Sequence, residues 1–148
     1  MALDNDFSGK VALVTGGSRG LGRAMALALA QRGADLVITS RKIEPCESVA
    51  LEIEAIGRRA LAYGCHVGKW DEIEGLVDAA YDRYGKIDIL INNAGMSPLY
   101  DKLSNVTEEL FDKVVGVNLK GPFRLMSLVG ERMACLLYTS PSPRDMPR

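Results

Sequence analysis

Between Val11 and Gly22 the chain reads VALVTGGSRGLG, and the chemistry that this spacing suits is the holding of an anion. An apolar run from Val11 to Val14 ends at Thr15, and glycines follow at 16, 17, 20 and 22. The next eight residues, Arg23 to Ala30, are strong helix formers. A strand that turns through glycines into a helix presents unpaired backbone N–H groups to an anion, with the helix dipole behind them. Glycine is needed because a Cβ would hold a pyrophosphate away from the backbone. The preceding strand and following helix are the context that a dinucleotide phosphate site requires.

A second group stands at the end of the next β-prone run, where the chain reads Thr39-Ser40-Arg41-Lys42 with no acid before Glu44. Dinucleotide sites for NAD place an Asp or Glu there, about 20 residues on, to meet the ribose 2′-hydroxyl; sites for NADP use an Arg. Arg41 lies 19 residues beyond Gly22. A guanidinium holds a 2′-phosphate through two parallel hydrogen bonds, and Lys42 and Arg19 add positive charge. The expected cofactor is therefore NADP(H), with NAD second. A third group, Asn92-Asn93-Ala94-Gly95, follows the apolar run Ile87 to Ile91.

The spacing Thr15-Gly16-x-x-x-Gly20-x-Gly22 departs from the commoner G-x-G-x-x-G. It resembles the T-G-x-x-x-G-x-G signature of the classical short-chain dehydrogenase/reductase family, and Asn92 to Gly95 resembles that family's N-N-A-G motif. The resemblance covers roughly residues 8 to 133. It implies that Gly16, Ser18, Arg19, Gly20, Leu21 and Gly22 surround the pyrophosphate, and that Asn93, Ala94 and Gly95 lie along the cofactor ribose. Asn92 is expected to tie its strand to the neighbours. At the end of the third strand the family often has an Asp that meets the adenine amino group, followed by an apolar residue. Here the places are taken by His66, the lone histidine, and Val67. His66 can hydrogen-bond to adenine or stack on it. Asn118 matches the family's helix asparagine, which in complete enzymes helps hold a water beside a catalytic lysine. Pro122, four residues on, has no N–H to give the Asn118 carbonyl, so a kink is expected there.

Alternating strand and helix signals must position these groups. Short β-prone runs at Val11–Val14, Leu36–Thr39, Arg59–Val67 and Ile87–Ile91 are separated by three helical patterns. The patterns start near Gly22, Pro45 and Ile73 and stop at glycines 33, 57 and 85. Thr107 caps a last long helix, with Glu108 and Glu109 in its first turn. Such alternation predicts right-handed βαβ crossovers and a parallel α/β sheet. The resemblance implies a Rossmann-like, doubly wound sheet, truncated after about four strands in the order 3-2-1-4.

With 148 residues and a formal net charge of −1, the chain fits one domain with one good core. It has no basic block for nucleic acid or an anionic membrane, and no apolar run near the roughly 20 residues of a membrane span. Three cysteines at unrelated spacings indicate neither a disulfide framework nor a metal site, and the expected compartment is the cytoplasm. From Cys135 the chain reads CLLYTSPSPRDMPR. The expected division is a nucleotide-binding domain at 1–134 and an irregular, Pro/Ser-rich tail at 135–148.

In a complete family member, a strand, a catalytic serine and a Tyr-x-x-x-Lys would follow. No Tyr in this chain has Lys four places on, and Ser140 lacks the strand context. The tail also resembles a translated sequencing-adaptor read-through, which predicts a genomic frame that continues differently after about Ala134. A natural disordered tail is the alternative. The resemblance thus implies an NADP(H)-dependent oxidoreductase of a small carbonyl or alcohol substrate, a homodimer or homotetramer when complete and inactive as this piece. The alternatives are a non-catalytic nucleotide-binding module and, more distantly, a Rossmann-type methyltransferase.

Overall fold

The computed structural model describes residues 6–139. Strands β1 (Val11–Thr15), β2 (Asp35–Ser40), β3 (Ala60–Gly64) and β4 (Ile89–Ile91) form one parallel sheet in the order β3-β2-β1-β4. Helices α1 (Gly20–Gln31), α2 (Ile43–Ala55) and α3 (Trp70–Tyr84) make the crossovers; α4 (Glu108–Val115) and α5 (Gly121–Thr139) follow β4. The sheet is thus the Rossmann-like parallel arrangement expected from the alternation.

Strand alternation divides the core between the two faces of the sheet. Ala12, Val14, Leu36 and Ile38 pack on Ala26 and Ala30 of α1 and on Cys46, Val49 and Ile53 of α2. Val11, Leu13 and Val37 pack on Ile73, Leu76, Val77 and Ala80 of α3 and on Leu125 and Val129 of α5. Thr15 pairs with Thr39, and Thr39 with Tyr63, so the first three strands end nearly level. Their following loops open along one edge.

The opposite edge is held by carboxylates. Asp35, at the start of β2, accepts from the Arg59 backbone N–H (3.0 Å), from Arg59 Nε (3.1 Å) and Nη2 (2.7 Å), and from Arg58 Nη2 (2.8 Å). Asp88 Oδ2 accepts from the Val11 N–H at 2.8 Å.

Several boundaries differ from the sequence expectation. Ile87 is buried in the core and Asp88 is engaged with β1, so only Ile89–Ile91 form β4. β3 ends at Gly64, and residues 65–68 make a turn around His66. α2 begins two residues before Pro45, which a helix tolerates in its first turn because those N–H groups have no intrahelical partner. The irregular tail expected from Cys135 is also corrected in part: α5 runs on through Thr139. Cys135, Leu136 and Leu137 continue the helix. Ser140 and the rest of the tail lie outside the described residues.

Candidate functional site

The turn from β1 into α1 is shaped for an anion. Arg19 occupies the N-cap with extended backbone, no side chain caps the helix, and its first turn has no acid. Among the described residues, no protein acceptor meets the N–H groups of Gly20, Leu21 and Gly22. Gly20 has φ +55°, and a Cβ there would enter open space beside these donors. Gly22 is fixed by the opposite condition: a Cβ would overlap the Gly16 carbonyl oxygen and come within 2.5 Å of Asn93 Nδ2. Ser18 is half-buried; Arg19 and Leu21 are exposed.

The end of β2 is stitched to this turn by Gly17 N–H donating to Thr39 O at 3.2 Å. Arg41 follows two residues later and is exposed. Its backbone corner is held by Ser40 Oγ donating to Lys42 O (2.8 Å), with Cys46 Sγ 3.1 Å from Ser40 Oγ. Among the described residues, Arg19, Arg41 and Lys42 take part in no ion pair. At the end of β3, His66 is half-buried and its N–H donates to Glu72 Oε2 at 2.8 Å. That hydrogen bond, with the Lys69 ammonium, holds the Glu72 carboxyl below its ordinary range. Val67 is buried.

After β4, the tie expected of Asn92 is made by Asn93 instead. Asn93 Nδ2 donates to Thr15 O (3.1 Å) and Gly16 O (3.2 Å). Its backbone N–H and that of Ala94 both donate to Thr15 Oγ1 at 3.0 Å. Successive side chains leave a strand end on opposite sides, so Asn93 turns to β1 while Asn92 lines the neighbouring cleft. Asn92 Oδ1 is buried there without a partner among the described residues. The cleft, an open space of about 550 Å³, is lined also by Ala94, Gly95, Met96, Ser97, Asn118 and Pro122.

Asn118 faces this loop. Its Oδ1 accepts from Met96 N–H (2.9 Å) and its Nδ2 donates to Met96 O (2.8 Å), so the amide pins the backbone beyond Gly95. The α-helical ladder gives way here to a π-helical turn, Gly116–Lys120, closed by Gly121 N–H donating to Gly116 O. Pro122 supplies no donor to carry the ladder across. The wide turn presses two glycines on the β3 loop. A Cβ on Gly116 would lie 3.3 Å from Gly68 O, and one on Gly121 would collide with Val67 O.

Residues 10–136 match the sequence family described as short chain dehydrogenase. The chain belongs to this family. Among curated short-chain dehydrogenases/reductases it is 40% identical, over 134 residues, to the bovine (Bos taurus) dehydrogenase/reductase SDR family member 4. That alignment covers 90% of this chain and 48% of the relative. A metagenomic short-chain oxidoreductase solved in complex with NADP is 35% identical with a TM-score of 0.84, over 87% of this chain and 58% of that one. A xylitol dehydrogenase solved with NAD⁺ bound is 32% identical with a TM-score of 0.83, over 88% of this chain and 50% of that one. The chain thus spans about half the length of the relatives it matches.

In this short-chain dehydrogenase fold, the parallel sheet brings the motif residues at 16–22, 41, 66–67 and 93–95 to one edge, with Asn118 behind the last. Three contributors have no site role in the sequence reading. Thr15 Oγ1 is the hub that joins β1 to the β4 loop, Glu72 holds the His66 backbone, and Met96 is the partner of Asn118. Thr15 stands in the motif itself, so its signal was present. The other two depend on contacts that no local pattern encodes.

Proposed function

We propose that this chain is the cofactor-binding part of an NADP(H)-dependent oxidoreductase of a small carbonyl or alcohol compound. The observation that carries the reading is the uncapped N-terminus of α1, with Arg19 at its N-cap and Arg41 and Lys42 following β2, none of the three in an ion pair among the described residues. The pyrophosphate fits the N–H groups of Gly20, Leu21 and Gly22, beside Gly16 and Ser18; the 2′-phosphate fits Arg41. The open space that a Gly20 Cβ would enter suits a ligand approaching the backbone. His66 and Val67 border the adenine, and Asn93, Ala94 and Gly95 border the ribose. When bound, the nicotinamide gives or takes the hydride.

Asn118 acts in this reading through the loop it holds and through its own carbonyl, which Pro122 leaves without its α-helical donor. General acid–base chemistry contributes about 10²–10⁴-fold in typical enzymes. The sequence contains no Tyr-x-x-x-Lys, so the chain as it stands binds cofactor without turnover.

Calorimetric titration with NADPH and NADH tests the reading. Tighter binding of NADPH is expected, and Arg41→Ala is expected to weaken NADPH about 10- to 100-fold, the worth of lost charge-assisted hydrogen bonds, with NADH unchanged. Equal affinities for the two cofactors, or an Arg41→Ala variant that loses nothing, would overturn the NADP assignment.

A further inference from the structure

The turn after β3 fixes what its histidine can offer a ligand. The Gly68 backbone N–H donates to His66 Nδ1 at 3.0 Å. A backbone N–H can only donate, so Nδ1 is an acceptor, and in the neutral imidazole the proton sits on Nε2. Nε2 makes no hydrogen bond to any described residue. The turn that carries the ring is itself closely held. The His66 backbone is tied to Glu72, which Lys69 Nζ approaches at 3.2 Å. Gly68 lies so close that a Cβ on it would stand 2.8 Å from His66 Cε1. His66 therefore presents a single donor and no acceptor.

This bears on the purine, on the reading above that the adenine half of the cofactor lies at this turn. We propose that His66 reads the purine by donating from Nε2 to N7, the acceptor beside the 6 position that adenine and hypoxanthine share, and not by accepting from the 6-amino group. The site then takes a 6-oxopurine (hypoxanthine) dinucleotide as readily as the adenine one. Adenine offers a donor at its 6 position and acceptors at the ring nitrogens. Hypoxanthine replaces that amino donor with a carbonyl acceptor and carries a proton on N1. A donor-only side chain meets the 6-amino group donor to donor, whereas a 6-oxo group accepts from it. An outward carboxylate has the reverse preference.

Calorimetric titration of the full chain with NADPH and with its hypoxanthine counterpart decides the matter, with circular dichroism to follow the fold of each variant. The two dissociation constants are expected to agree within about threefold, or to favour the hypoxanthine form. His66→Asp keeps an acceptor for the Gly68 N–H and turns an acceptor outward. It should move the ratio toward NADPH by about 3- to 10-fold, the worth of one hydrogen bond. His66→Asn, whose amide oxygen takes the Gly68 N–H and leaves its NH₂ outward, should keep the wild-type ratio. A wild-type preference for NADPH beyond threefold overturns the proposal, as does one ratio shared by wild type and a folded His66→Asp. Absence of saturable NADPH binding removes the cofactor reading itself and this inference with it. Saturable binding with an unmoved ratio removes the inference alone.

Discussion

Asp35 shows how much one buried carboxylate does in this chain. Burial alone would raise its pKa, but the hydrogen bonds from the Arg59 backbone and guanidinium and from Arg58, with the Arg58 charge, outweigh it and leave the group below its ordinary value. A depressed carboxylate stabilises the fold fully above its unfolded pKa, near 3.9, and the contribution fades as pH falls through the folded value. Asp35→Asn is expected to cost about 2 kcal/mol at pH 7, by urea unfolding, and to flatten the loss of stability below about pH 4. The cysteines make a second test. Burial pushes the Cys65 thiol up to about 11 and raises Cys46, whereas Cys135 is exposed. Native protein at pH 8 should therefore lose one thiol quickly to iodoacetamide and all three only after denaturation, counted by mass spectrometry.

At the scale of elements, the junction between α4 and α5 positions the site from behind. Thr107 Oγ1 accepts from Leu110 N–H at 3.1 Å, as the capping pattern predicts, and the helix changes pitch where Pro122 interrupts its ladder. Gly121 meets main chain, which cannot move aside as a side chain can. Gly121→Ala is expected to destabilise by about 1–3 kcal/mol and to weaken NADPH binding, because it displaces the Val67 carbonyl beside His66. Gly130, in the same helix, has nothing within 4 Å of an added Cβ, so Gly130→Ala should raise stability by about 1 kcal/mol with binding unchanged. Thermal unfolding and NADPH titration on the same pair separate a steric effect at the junction from a general effect on α5.

For the whole molecule, the sheet has one exposed liability. β4 pairs with β1 alone, and its other edge has no strand among the described residues. Phe111, Leu119, Phe123 and Met126 are also exposed on α4, α5 and the turn between them. Unpaired edges and apolar patches promote association. The sedimentation coefficient is expected to rise with protein concentration; a monomer that stays unchanged from 1 to about 100 μM would contradict this expectation.

The glycine spacing, the Arg41 position and the alternation of apolar runs were legible in the sequence because each follows from local chemistry: φ freedom, charge and period. So were the parallel sheet and the meeting of the motifs at one edge, since right-handed crossovers between parallel strands leave few other arrangements. Tertiary structure alone decided which asparagine ties β4 to β1, because a one-residue step at a strand end exchanges the faces and periodicity cannot register it. It decided also that Asn118 grips Met96, 22 residues away, and that His66 accepts from Gly68 and so keeps only a donor to offer. These last facts depend on where the chain is after folding, and a hydrogen bond's direction is set by its partner.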